Sequence, residues 1–178
     1  MSAHAALRAA TRAAHDQLDA HFSTYDLGDR DNYGRFLTSH AAAFVPIEAA
    51  LTGAGAGRLV DDWPGHRRSN ALLADLADLG LAPPPPVAPP AYDDDDHILG
   101  GLYVIEGSRL GGQMLQRLVA DDLPRRFLSA PQAKGRWRGL TATLDQRLQS
   151  PASLSRSVEA ALATFSSFHK AVTVSLYE

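Results

Sequence analysis

The chain has 178 residues, of which 45% are hydrophobic, and this is enough apolar material for one domain with a sizeable core. It contains no cysteine, which excludes disulfide bonds, thiolate metal sites and cysteine nucleophiles. A formal net charge of -3 argues against nucleic acid as the main partner, and because no apolar run of about eighteen residues occurs, we expect no membrane span.

The first predicted element is an amphipathic helix from Ala3 to Phe22. Its apolar and small residues recur at three- and four-residue steps, at Leu7, Thr11, Ala14 and Leu18. The same segment alternates charged residues with alanine and lacks the continuous apolar stretch of a secretory signal. A cytoplasmic protein is therefore expected.

Charged side chains accompany His15 on this helix. Arg8 precedes His15 by seven residues, so the two lie on one face, about 10 Å apart along the axis. Asp19 follows by four residues and can accept the Nδ1 proton, which would leave Nε2 free to bind a metal. Iron in a porphyrin needs one protein ligand on its proximal side, and an arginine two turns away could meet a propionate. The alternative is an exposed histidine with an ordinary acidic neighbour.

The middle of the chain contains two further predicted helices and a connector. A helix from about Asp31 to Leu51 contains Pro46, which should bend it. A shorter helix from about Ser69 to Leu79 should stop at Gly80. The segment from Ala82 to Tyr92 is proline-rich, which predicts a semi-rigid internal loop.

The next predicted helix, from Asp93 to Leu115, opens with four aspartates and is rich in glycine. Its glycines are Gly100, Gly101, Gly107, Gly111 and Gly112. Each costs roughly 1 kcal/mol relative to alanine inside a helix. At 100° per residue, Gly107 lies within about 20° of Gly100, and Gly111 follows about 40° further on. Either a flat or bulky group lies against this bare face, or another helix packs closely on it.

Two more helices are predicted, from about Pro131 to Leu148 and from Pro151 through an apolar stripe that ends at Leu176. No strand pattern is evident, so the sequence predicts one all-α domain of about six helices over residues 1–178. A basic stretch accompanies them, with Asp145 as its only acid, and its members are Arg125, Arg126, Lys134, Arg136, Arg138 and Arg147. This stretch is either an ordinary solvated surface or a docking site for an acidic partner.

Other histidines were weighed as ligands. His40 lies on the apolar stripe of the second helix and is expected to be a hydrogen-bonded core residue, while His169 is a weaker candidate ligand. Asp94 and His97 have a spacing found in carboxylate di-iron bundles, but no Glu-x-x-His pair accompanies them, which disfavours such a site. The chain also lacks nucleotide-binding and hydrolase motifs.

Two segments together resemble motifs of the heme oxygenase family. Leu7 to Asp19, LRAATRAAHDQLD, is similar to the first-helix motif, in which a basic residue precedes the proximal histidine by seven positions. Tyr103 to Leu115, YVIEGSRLGGQML, is similar to the distal helix, whose glycines let heme lie close to the backbone. The resemblance implies a single-domain, multi-helix fold with heme between the first helix and the glycine-rich helix.

On the proximal side, the resemblance implies that His15 is the axial iron ligand, that Asp19 orients it, and that Arg8 contacts a heme propionate. A further basic contact to the propionates from a later helix has Arg136, Arg138 and Arg147 as candidates.

On the distal side, the resemblance implies a wall formed by Gly107, Gly111 and Gly112, with Gly107 and Gly111 nearest the bound dioxygen. Ser108 stands where mammalian-type members carry an aspartate that organises water near the oxygen. This departure leaves the route of proton delivery open.

The implied reaction converts heme b, with dioxygen and external electrons, to biliverdin, carbon monoxide and ferrous iron. Because the chain has no flavin or nicotinamide motif, the electrons would come from a ferredoxin or reductase. Such a donor could dock around Arg125 to Arg138. The short chain without a hydrophobic tail is similar to bacterial members that supply biliverdin to bacterial phytochromes. Two alternatives stay open: a protein of this fold that stores heme without degrading it, and a helical domain that binds no heme and uses its glycines for packing.

Overall fold

The computed structural model describes residues 2–131 and 133–175, and every regular element in these residues is helical. The α-helices are α1 (Ala3–Phe22), α2 (Arg30–Ala54), α3 (Trp63–His66), α4 (Ser69–Asp78), α5 (Asp95–Leu115), α6 (Arg136–Arg147) and α7 (Pro151–Ser175). Short 3-10 turns occupy Ala56–Arg58 and Gln116–Leu118. Within the described part of the chain, no helix is long and apolar enough to cross a bilayer.

Most predicted helix boundaries are confirmed to within a few residues, and α6 is the main exception. It begins at Arg136 rather than at about Pro131, because Gly135 adopts a left-handed conformation with a φ of 86° that a helix interior cannot contain. The four-residue helix α3 was not predicted. Leu176, predicted to lie on the stripe of the last helix, falls outside the described residues.

Pro46 lies inside α2 without ending it. A proline has no N–H, so the carbonyl of Ala42 one turn earlier loses its helical partner. The backbone N–H of Val87 donates to that carbonyl at 2.8 Å. The proline-rich loop is thereby fastened to α2, and the hydrogen bond that the helix lacks is replaced from outside it.

Helix α7 is the support on which the other long helices assemble. It packs against α1, α2 and α5, while α6 packs on both α1 and α5. Buried apolar side chains from all seven helices form one contiguous core. Helices α1 and α5 therefore share the same two neighbours, which sets the geometry of the candidate site.

Candidate functional site

His15 presents its imidazole on the exposed surface of α1. Its side chain is 57% exposed, and Nδ1 lies 3.4 Å from Oδ2 of Asp19 and 3.6 Å from Oδ1 of Asp16. The predicted Asp19 contact is therefore present, and Asp16, which the sequence analysis did not consider, is a second acid beside the same nitrogen. In residues 2–131 and 133–175, no group forms a hydrogen bond with Nε2. Nδ1 thus lies beside two acids, and Nε2 is left available to bind a metal ion.

Arg8 lies two helical turns before His15 and is exposed. Unlike Arg12, which pairs with Asp16 at 3.6 Å, it makes no ion pair with any described residue. A guanidinium in this position can bind an external carboxylate without first leaving a carboxylate of the protein.

Helix α7 supports α1 at the level of His15. The ring of Phe165 meets the His15 ring edge-to-face, with 6.2 Å between centroids. One turn later, Nε2 of His169 lies 3.2 Å from the carbonyl oxygen of Ala14. His169 is therefore engaged with the backbone of α1, which argues against the role of metal ligand considered for it.

The glycines of α5 have two different environments. A Cβ at Gly100 would overlap the carbonyl oxygen of Ser157 in α7, and one at Gly101 would lie 2.5 Å from the Tyr92 ring. Close packing, one of the two interpretations of the glycine-rich face, is thus correct for these two. Gly112 is also buried, and a Cβ there would lie 3.4 Å from the carbonyl oxygen of Leu128.

Gly111, in contrast, leaves its backbone open to the surroundings, and Gly107 is half-buried beneath a single side chain. A Cβ at Gly111 would meet no atom within 4 Å, and one at Gly107 would meet only the Trp137 indole, at 3.6 Å. Met114 follows Gly107 by seven residues and is 74% exposed, and Leu118, in the 3-10 turn directly after α5, is 62% exposed. A seven-residue step keeps a helical residue within about 20° of the same face. The second half of α5 therefore presents a bare, apolar and solvent-exposed strip, which suits a flat apolar ligand.

Ser108 does not point its hydroxyl into open space. Its Oγ donates to the carbonyl oxygen of Ile105 at 2.7 Å and accepts from Nη2 of Arg68 at 2.8 Å. The same Nη2 also donates to the Ile105 carbonyl, at 2.6 Å. The hydroxyl proton is thus donated within α5, and one lone pair of the hydroxyl oxygen accepts from Arg68.

Arg68 belongs to a buried charged cluster that sequence reasoning missed. Its members are Glu48, His66, Arg68, Glu106 and Arg109, all at most 5% exposed. Glu48 accepts from the backbone N–H of Arg68 at 2.6 Å, and Oε1 of Glu106 lies 3.3 Å from Nδ1 of His66 and 3.4 Å from Nη2 of Arg109. A Glu-x-x-Arg pair inside the otherwise apolar α5 was the one local signal for it.

The cluster changes the ionisation of its members. Burial alone would raise the pKa of Glu106, but the neighbouring imidazole of His66 and the charge of Arg109 outweigh it and hold that pKa below its usual value. Burial lowers the pKa of Arg68 to about 9, which still leaves the guanidinium charged near neutral pH. Its cation lies 4.7 Å from the Phe44 ring centroid and 5.0 Å from that of Phe127.

The predicted basic surface is largely neutralised by acids, one of them four residues away and three of them distant in the sequence. The ion pairs are Arg125–Asp121, Arg126–Asp78, Arg136–Asp62 and Arg147–Asp95. Among the described residues, only Lys134 and Arg138 of the stretch lack such a partner. Of the three arginines suggested for the propionates, Arg138 is therefore the one that remains unpaired.

The structural roles of two other histidines are clear. Nδ1 of His40 donates to the Phe36 carbonyl at 3.0 Å, and its ring stacks on Phe22, which confirms the predicted core role. Asp94 caps α5 by accepting from the backbone N–H of His97 at 2.9 Å. No group of three or more metal-binding side chains occurs in the part of the chain that is described.

The chain is similar to proteins of one kind. A heme oxygenase of Xanthomonas campestris is 34% identical over 147 residues, which cover 79% of this chain and 88% of that protein. The heme oxygenase PigA of Pseudomonas aeruginosa is 29% identical, over 76% of this chain and 73% of its own. No family model matches the chain.

Solved structures extend the likeness to the fold. A heme oxygenase from Neisseria meningitidis superposes with a TM-score of 0.83 at 22% identity, over 99% of this chain and 93% of its own. One from Leptospira interrogans gives a TM-score of 0.68 at 18% identity, over 96% and 100%.

Proposed function

The chain belongs to the heme oxygenase family, and on that basis we propose that it cleaves heme b with dioxygen and external electrons to biliverdin, carbon monoxide and ferrous iron. The observation that carries this proposal is the exposed strip at the end of α5, where Gly107 meets only the Trp137 indole, the backbone of Gly111 is bare, and Met114 and Leu118, the latter in the following 3-10 turn, are exposed. Leaving such apolar surface in water is unfavourable, and a flat macrocycle would cover it.

On the proximal side, His15 would bind the iron through Nε2. Asp16 and Asp19 beside Nδ1 favour the tautomer that carries its proton there, and they make the imidazole a stronger donor. Arg8, exposed and without an acidic partner among the described residues, would pair with a propionate.

On the distal side, heme supplies the redox chemistry, because it is both the substrate and the group that activates dioxygen. The contribution of the protein is space and orientation. Gly107 and Gly111 carry no side chain of their own, so they would leave space for dioxygen beside a heme held against this part of α5. Residues that carry a Cβ at these positions would narrow that space.

Proton delivery in this chain would not start at the Ser108 hydroxyl. Its proton is donated to the Ile105 carbonyl and one of its two lone pairs accepts from Arg68, so Ser108 would hold the helix rather than supply the proton. We assign proton transfer to water in the heme slot that we propose between α1 and the exposed strip of α5.

The test is hemin titration followed by aerobic turnover with ascorbate. We expect a saturable one-to-one Soret shift, followed by loss of that band and formation of a bilin, identified by chromatography, together with carbon monoxide. His15→Ala should lower bilin formation by about 100-fold because the iron loses its anchor. Added imidazole should restore axial ligation in that variant, and His97→Ala is the control. Unchanged ligation in His15→Ala would remove the proposed role.

The alternative is heme storage without degradation, and the committed Ser108 hydroxyl is the observation that favours it. The same ascorbate experiment separates the two functions. A one-to-one heme complex whose Soret band persists through aerobic reduction would support storage and contradict the oxygenase.

For the electron donor, we propose an acidic ferredoxin that docks near Lys134. Lys134 and Gln113 line a surface depression beside Trp137, which contacts the distal helix. Lys134→Glu should slow reduction by an acidic [2Fe–2S] ferredoxin by about tenfold at low salt, while ascorbate-driven turnover is unchanged. Lys170→Glu is the matched control, since it makes the same change of charge at an exposed position of α7. Equal rates for both variants would contradict this docking site.

A further inference from the structure

Three aromatic rings from three helices meet at one end of the glycine strip. His4 of α1 lies 5.7 Å from Trp137 of α6 and 6.1 Å from Tyr103 of α5, measured between ring centroids. Tyr103 and Trp137 are 5.9 Å apart. All three side chains are half-buried. The backbone N–H of His4 donates to Oδ1 of Asp145 at 3.0 Å, which fixes the start of α1 to α6.

Trp137 is the ring of this group that reaches the proposed slot. The position of a Cβ on Gly107 lies 3.6 Å and 3.8 Å from two carbons of its indole. Four residues further along α5, the corresponding position on Gly111 has no neighbour within 4 Å. The strip is therefore closed by an aromatic edge at Gly107 and open at Gly111.

This asymmetry matters because a flat apolar slot alone cannot orient a heme. The four meso carbons of the macrocycle are nearly equivalent in shape, so a ring that can slide or rotate in its plane presents any of them. A few fixed contacts at the edge are what give a bound ligand one orientation. A rigid indole, held by two neighbouring rings, supplies such a contact.

We propose that Trp137, held by His4 and Tyr103, is the edge wall that sets the in-plane position of the heme, and so determines which meso carbon is cleaved. The inference rests on the proposed function for its chemical consequence. The wall itself concerns seating, which can be measured without turnover. Trp137 is in this sense a positioning residue.

The direct test is proton NMR of the cyanide complex of the heme-loaded protein. Hyperfine-shifted heme-methyl signals report the ratio of in-plane orientations, and Trp137→Ala should change that ratio by about three- to tenfold, equivalent to about 0.7–1.4 kcal/mol. Trp137→Phe retains a ring and should restore most of the parent ratio. Trp63→Phe is the control, because this other tryptophan is a core residue hydrogen-bonded to Thr52.

The second readout is the distribution of biliverdin isomers from ascorbate-driven turnover. Trp137→Ala should redistribute the isomers in the same direction as the heme orientations, with one-to-one hemin binding retained. Trp137→Leu keeps apolar packing and replaces the alanine variant where that one does not fold. Parental orientation and isomer ratios in both variants would overturn the proposal. Hemin binding without bilin from the parent would contradict the proposed function alone, since the NMR ratio still tests the wall.

Discussion

At the scale of single residues, His15 is distinguished by its acidic neighbours. Two carboxylates, Asp16 and Asp19, lie at similar distances from the same ring nitrogen. Neither contact is a hydrogen bond at its present length, but a small side-chain rotation would let either carboxylate accept the Nδ1 proton, so we expect that the orientation of the imidazole does not depend on one acid. A single substitution therefore tests the arrangement less sharply than a double one.

We expect Asp19→Ala or Asp16→Ala alone to weaken heme binding only slightly, because the remaining acid still accepts the Nδ1 proton. The double variant should lose about tenfold or more in affinity and show a lower Fe–His stretching frequency in the ferrous complex. Resonance Raman spectroscopy and hemin titration measure these effects. Equal and additive losses from each single variant would contradict shared orientation.

Glycine substitutions at two positions of α5 should have opposite effects on stability. Gly100→Ala places a Cβ against the Ser157 carbonyl and should destabilise the heme-free protein by about 1–3 kcal/mol. Gly111→Ala meets no atom, so the higher helix propensity of alanine should stabilise it by up to about 1 kcal/mol, although heme turnover falls. Denaturant unfolding without heme gives both free energies. Destabilisation at both positions would show that Gly111 is also packed.

At the scale of elements, the two halves of α5 have different packing partners. Its first half is fastened to α7 through Gly100, and its second half is held from behind by Arg68 through Ser108 and Ile105. The exposed strip of α5 is thus backed by a buried charged cluster. Such a cluster is costly to disrupt, because removing one member leaves its partner buried and unpaired.

Arg68→Met should accordingly destabilise the protein by about 3–5 kcal/mol, whereas Ser108→Ala should cost about 1 kcal/mol. The Ser108→Ala variant should still form bilin, since the Ser108 hydroxyl of the parent donates its proton to the Ile105 carbonyl rather than to the substrate. Unfolding curves and ascorbate-driven turnover test both statements. A folded, heme-loaded Ser108→Ala protein without turnover would establish Ser108 as a proton source.

At the scale of the whole molecule, the core contains ionisable groups whose burial makes stability depend on pH. Burial lowers the pKa of His40 from 6.5 to about 4, so the folded state keeps it neutral while the unfolded chain protonates below pH 6.5. The contribution of neutral His40 to the free energy of unfolding is complete above pH 6.5 and is lost as the pH falls through about 4. Burial raises the pKa of Asp75, which acts in the opposite direction.

The unfolding free energy of the parent should therefore fall by up to about 3 kcal/mol through His40 between pH 6.5 and about 4. His40→Phe keeps a ring between Phe22 and Phe36 and removes the titration. The difference between the two pH profiles isolates His40, because Asp75 titrates in both. Parallel profiles would show that His40 has the same pKa in the folded state as in the unfolded chain.

Local sequence patterns determined the limits of α1 and the contact between His15 and Asp19. The period of apolar residues predicted α1 with its observed limits, and the four-residue spacing predicted that Asp19 would lie beside His15. Both follow from the geometry of one helix, which depends only on neighbouring residues. The same geometry predicted that Gly100, Gly107 and Gly111 share a face.

Only the tertiary structure decided what that face meets. Gly100 packs on α7, Gly107 meets Trp137 and Gly111 stays open, although all three are the same residue on one stripe. Likewise, Ser108 is engaged by an arginine forty positions earlier in the chain. Such contacts depend on how distant helices pack together, and helical periodicity carries no information about which side chain will lie opposite.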